Sequence, residues 1–278
     1  MFDALAAERL KLARHRAAWW LVWVFPIGFT ALIVLVTAWQ MVRGQPAPEV
    51  GPPETAAGWI GDSLAPWIAA SSTFGRYLLA GFTAVAFGGE YGWNTWKLVV
   101  PHRSRLVLLA AKYGATLLFL LLSYLVTVAV YLMLELIGGA LLREPVPSSV
   151  NWGEFFEAHT ASFVATVITT AFTVAVTATI AVLARSTVAA ALGGVVLIIL
   201  EQLVGIRLLG VSETAYRFFP FNNLGNLYNW LFEGGPRRIP IEGGAIADHW
   251  TFSLAVVLGV AAALVALTVG AFRRQDLN

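Results

Sequence analysis

The sequence predicts an all-α membrane protein with six transmembrane helices. Three observations predict it. The chain is 58% hydrophobic and 12% charged, against roughly 45–50% and about 25% in soluble domains, so its solvent is lipid. Its apolar residues gather into stretches of the ~20 residues that cross a hydrocarbon core, where unpaired backbone groups are too costly for any open structure. Its basic residues crowd into alternate connecting segments, as they do in multi-pass chains.

The whole chain, 1–278, reads as a single transmembrane domain with no room for a soluble one. Residues 1–17 mix Leu5, Leu10 and Leu12 with Glu8, Arg9, Lys11 and Arg14, which suits an amphipathic helix lying on the inner leaflet. The spans follow at about 18–42, 67–89, 106–137, 160–184, 188–210 and 251–272. The first is too long for a signal h-region of about 7–15 residues and is followed by no small-residue cleavage site. The third is long enough to project or tilt. The first outer loop, Arg43–Pro66, is rich in Pro, Gly and Ala and is expected to be irregular. The outer segment 211–250 holds Tyr216, Phe218, Phe219, Phe221, Tyr228, Trp230 and Phe232. Such a density of aromatics predicts short re-entrant helices in the outer leaflet, broken at Pro220 and Gly234-Gly235-Pro236.

Orientation comes from charge placement. Arg9, Lys11, Arg14, Arg16, Lys97, Arg103, Arg105, Lys112, Arg185, Arg273 and Arg274 fall on one side, while most acids fall on the other. Both termini are therefore expected in the cytoplasm, in a bacterial inner or plasma membrane. Trp59, Trp67, Trp152, Trp230 and Trp250 fall near the outer ends of the spans, as an aromatic belt would. The formal net charge of +2 is too weak a bias to suggest nucleic acid, and the absence of cysteine excludes disulfides and thiol chemistry.

The most informative stretch is 90–105, between the second and third spans. It contains Glu90-Tyr91, Trp93, Thr95-Trp96-Lys97, Pro101, Arg103 and Ser104-Arg105, with Lys112 entering the next helix. Its ordered pattern resembles the cytoplasmic loop of type-2 ABC transporter permeases. Glu8-Arg9-Leu10-Lys11 and Phe272-Arg273-Arg274-Gln275-Asp276-Leu277 are similar to that family's two ends. The resemblance implies a permease subunit of an ATP-driven exporter. Its partners would be two ABC ATPase subunits and a second copy of itself or a related permease. The loop 90–105 would couple to the motor through Glu90, Tyr91, Trp93, Thr95, Trp96, Lys97, Pro101, Arg103 and Arg105. Aromatic and Arg residues commonly dominate interface energies; the same groups also suit simple anchoring at lipid headgroups.

The chain carries no phosphate-loop motif, since none of Lys11, Lys97 and Lys112 follows a Gly-x-x-x-x-Gly. It is therefore expected to bind no cofactor itself, with ATP and magnesium on the partner subunit. Nor do its four histidines show a metal-ligand spacing, so it is not expected to be an enzyme. Two charges fall inside spans. Arg76 follows Trp67 by nine residues and Glu201 precedes Gly210 by nine, placing each about 14 Å from the same surface. Intramembrane charge is functional by default, and the two are expected to pair or to line a shared polar path. Thr166, Thr170, Thr173 and Thr177 share one face of the fourth span, as helix-packing hydroxyls do. The rival reading is a membrane sensor or anchor without transport, which has the spans but no use for the loop motif.

Overall fold

The computed structural model describes residues 2–42, 55–92, 96, 104–142, 146–241 and 244–275. Its helices are α1 (Phe2–Arg14), α2 (Arg16–Val42), α3 (Ala56–Ser63), α4 (Ala65–Ser71), α5 (Thr73–Gly92), α6 (Arg105–Leu142), α7 (Trp152–Ala184), α8 (Thr187–Leu209), α9 (Glu213–Arg217), α10 (Pro220–Glu233) and α11 (Trp250–Arg274). A short antiparallel hairpin of β1 (Ile239–Ile241) and β2 (Gly244–Ile246) precedes α11.

Among the described residues, five helices are long and apolar enough to cross a bilayer: α2, α6, α7, α8 and α11. At 38 residues, α6 is about 57 Å long, nearly twice a hydrocarbon core of about 30 Å. The expected second span at 67–89 is not one helix. It breaks at Ser72, whose backbone is extended, so that α4 and α5 meet at an angle. The turn is tight enough that a Cβ on Gly75 would collide with the Ala69 carbonyl oxygen. This stretch is less apolar than the others because α5 faces protein. Gly75, Arg76, Leu79, Phe82, Thr83, Phe87, Gly88, Gly89 and Glu90 are all buried.

Glycine makes that burial possible. A Cβ on Gly88 would meet the Thr187 Cα at 2.6 Å, and one on Gly194 would meet the Ala80 Cβ at 2.9 Å. Helices α5 and α8 therefore touch backbone to backbone, as small residues permit inside membranes. Pro26 lies inside α2, where it removes the N–H that would serve the Val22 carbonyl. The Ser123 hydroxyl of α6 donates to that carbonyl instead. The connection between α7 and α8 is a two-residue turn. Arg185 adopts the left-handed conformation (φ 51°), and the Ser186 hydroxyl accepts from the Ala189 N–H at 3.2 Å.

Three further expectations need correction. The loop 43–66 is helical over α3, capped by the Thr55 hydroxyl accepting from the Gly58 N–H at 3.1 Å; residues 43–54 lie outside the described residues. Trp59 and Trp67 are buried rather than belt residues. Trp59 stacks on Phe155 with ring centroids 5.7 Å apart, and the Trp67 indole N–H donates to His159 Nδ1 at 3.1 Å. The aromatic segment holds α9, α10 and the hairpin, the last unforeseen in a chain read as all-α. Pro220 starts α10 and Gly234 ends it at φ 67°. Asn226 ties these pieces together: its amide donates to the Asp248 carbonyl (2.9 Å) and the Ser253 hydroxyl (2.8 Å), and its oxygen accepts from the Arg237 N–H (2.7 Å).

Candidate functional site

Two sets of expected site residues are brought together, at opposite ends of the bundle. At the end where α1, the C-terminus of α5, the start of α6 and the C-terminus of α11 meet, charge is buried. Lys112 is 1% exposed and Glu90 4%. The ammonium of Lys112 donates to Glu8 Oε2 at 2.8 Å, to the Ala86 carbonyl at 2.9 Å and to Glu90 Oε1 at 3.0 Å. A lysine has three donors and no acceptor, so each donor is used. Lys11, half-exposed at the rim, donates to Glu8 at 3.0 Å and also to Glu90. The set of two lysines and two glutamates is formally neutral, which is what lets it sit out of water.

Aromatic rings roof the cluster. Lys112 Nζ lies 5.3 Å from the centroid of the Trp96 ring, within cation–π range. Trp96 is buried in turn against Phe272 and Tyr91, with ring centroids 4.5 and 5.9 Å away. Arg105 fastens the last helix. One guanidinium nitrogen donates to the carbonyls of Phe272 (2.6 Å), Arg273 (2.9 Å) and Gln275 (2.8 Å). These are the carbonyls a helix end leaves unserved, and a cation there also complements the helix dipole. The Tyr91 hydroxyl donates to Gln275 Oε1 at 2.8 Å, and Gln275 Nε2 donates to the Val182 carbonyl at 2.6 Å.

Glu90, Tyr91, Trp96 and Arg105 thus belong to one packed platform with Glu8, Lys11, Lys112, Phe272 and Gln275. Trp93, Thr95, Lys97, Pro101 and Arg103 lie outside the described residues. Glu8, Lys112 and Gln275 lie in three separate segments of the sequence, and nothing in the sequence alone links them. A lysine placed well inside an apolar helix demands a buried acid, and that was the signal available.

Towards the other end, Arg76 Nη2 donates to Glu201 Oε2 at 2.6 Å, joining α5 to α8. Arg76 Nε donates to the Thr173 hydroxyl of α7 at 3.1 Å, and its guanidinium lies 5.9 Å from the Phe221 ring centroid. Arg76 is 3% exposed. A cavity of about 260 Å³ opens beside it, lined from α4, α5, α7 and α10. Gln202, next to Glu201, donates to the Thr73 hydroxyl, so a second polar tie joins α5 to α8. Thr166, Thr170, Thr173 and Thr177 are all buried on the inner face of α7.

The described residues hold no group of three or more His, Asp or Glu side chains arranged to bind a metal. No curated protein matches the chain. The family model described as "Protein of unknown function (DUF2705)" matches residues 68–278, well over half the chain and including Arg76, Glu90, Arg105, Lys112 and Glu201. The chain belongs to the DUF2705 family.

Proposed function

We propose that the chain is the transmembrane permease subunit of an ATP-binding cassette transporter, exporting a hydrophobic or amphipathic substrate. ATP and magnesium are bound, and ATP hydrolysed, by two separate ATPase subunits. A second copy of this chain or a related permease completes the complex. The observation that carries this reading is the buried platform at the root of segment 90–105. A loop that merely rests on headgroups needs only exposed charge, which is weak and yields readily. A loop that passes force from a motor to helices needs a stiff mount. Here Glu90, Trp96, Arg105 and Lys112 clamp α1, α5, α6 and α11 to one another. In this reading the mount is buried, and Trp93, Thr95, Lys97, Pro101 and Arg103 touch the motor.

The same reading takes α4 and α5 as the sixth crossing. Lys11 reaches Glu90 and Tyr91 reaches Gln275, so the first and last described segments lie at one end of the bundle. A chain that returns to its starting side passes an even number of times. Both ends are assigned to the cytoplasm of a cell-membrane protein, with α1 on the inner leaflet and α9–α10 dipping into the outer one. Motor closure then pushes the platform, and α5 carries the movement to the Arg76–Glu201 pair.

The test is a mild-detergent purification of the tagged full chain from its native host. An ATPase subunit with a phosphate-loop motif should co-purify in stoichiometric amount and be lost on Lys97→Glu/Arg103→Glu. A folded chain that brings down no such subunit refutes the permease reading and favours the sensor or anchor.

A further inference from the structure

The cavity beside Arg76 has the chemistry of a ligand site, and we propose that it binds the anionic headgroup of a single-chain amphipathic molecule, a carboxylate or phosphate carried on an acyl chain. The site stands apart from the coupling reading, because its occupancy requires no ATPase.

Among the described residues, Arg76 is the only charged one lining the cavity, and no acidic side chain lines it. Two guanidinium nitrogens are committed, Nη2 to Glu201 and Nε to Thr173. The third, Nη1, has no hydrogen-bond partner among the described residues. It is not sealed off from solvent and is open to the cavity, where an incoming acceptor can reach it. An oxyanion in the cavity supplies that acceptor, and a charge-assisted bond to Arg is among the strongest available. Glu201 does not line the cavity, so ligand and glutamate use different nitrogens of one planar fork.

The break in the chain adds to this preference. Ser72, immediately before the first residue of α5, lines the cavity. The positive end of a 20-residue helix therefore lies at the same place as the free guanidinium edge. The remainder of the lining is mainly apolar, including Ile168, Phe221, Leu224 and Leu227, a surface for methylenes. An apolar cavity of about 150 Å³ holds benzene, so 260 Å³ takes a headgroup and the first part of a chain. Ile68 and Tyr228, 45% and 38% exposed, stand at the mouth through which the rest would leave.

The experiment is native mass spectrometry of the purified full chain in a neutral detergent. The probes are oleate, lysophosphatidylglycerol and uncharged monoolein. One anionic probe should bind per chain, about tenfold tighter than monoolein, as expected for one added charge-assisted bond. A preference for oleate identifies a free fatty acid as the source, and one for lysophosphatidylglycerol a phosphate lipid; either agrees with the proposal. Ile168→Trp, which fills the cavity and leaves the ion pair alone, should abolish binding. The neutral double variant Arg76→Gln/Glu201→Gln should erase the preference for anions. Equal binding of monoolein, or undiminished oleate binding by a folded Ile168→Trp chain, overturns the proposal. Should the double variant fail to fold, Ile168→Trp decides alone.

Discussion

Lys112 shows how a membrane chain can bury an ammonium. Its three donors meet two carboxylates and a carbonyl within 3.0 Å, and Trp96 covers it. Lys112→Met takes from Glu8 and Glu90 the buried cation that both of them bind, and breaking a buried ion pair in this way costs roughly 3–5 kcal/mol. Thermal unfolding in detergent should register that loss, and Glu8→Gln/Lys112→Met should recover part of it. Titration gives a second prediction. Burial by itself would lower Lys11, yet the neighbouring Glu8 and Glu90 carboxylates raise it above 10.5. Burial likewise pushes the Tyr91 phenol up to about 12, against the opposing pull of Gln275, Arg185 and Arg105. Both groups hold their protons more tightly folded than unfolded. Their contribution is full below about pH 10 and is lost as pH rises through the folded values. The melting temperature should therefore fall above about pH 10, less steeply in Tyr91→Phe; a value that holds or rises there contradicts the assignment. The ingredients of this cluster were visible in the sequence, since Glu90, Trp96, Arg105 and Lys112 stood out as an ordered motif. Their mutual burial was not, because the partner Glu8 lies 104 residues from Lys112 and no local pattern encodes that pairing.

Elements in this fold depend on a few side chains that repair or permit backbone contacts. Ser123 serves the Val22 carbonyl that Pro26 leaves open. Ser123→Ala should cost about 1–3 kcal/mol, the penalty for an unsatisfied buried acceptor, measurable as a lower midpoint of thermal unfolding. Gly194 lets α8 lie against Ala80 and Thr177. Gly194→Leu should force α5 and α8 apart and destabilise by about 1–3 kcal/mol; an unchanged Tm would show that the contact is looser than described. The long helices were legible because twenty or more apolar residues in lipid have one backbone solution. The break at Ser72 was not, because it depends on Gly75 fitting beneath the carbonyls of α4, a tertiary contact. Helix α3 escaped notice in a loop rich in Pro, Gly and Ala, where its Thr55 cap was the one local signal. The hairpin at 239–246 was hidden for another reason: strands of three residues are too short to show an alternating pattern.

At the scale of the molecule, the two charged sites share α5. Its C-terminal turn carries Glu90 and its N-terminal turn carries Arg76, so one buried helix joins the platform to the cavity. In the proposed permease reading the motor meets the platform end of that helix, which makes segment 90–105 the place to test. The 278-residue sequence contains no cysteine, so a single introduced thiol reports one position in it cleanly. The measurement is cross-linking from Lys97→Cys, with Thr251→Cys at the opposite end as control, in membranes of the native host. The permease account predicts an adduct between position 97 and an ATP-hydrolysing subunit, and none from position 251. No adduct from a folded Lys97→Cys chain, or equal adducts from both ends, contradicts it.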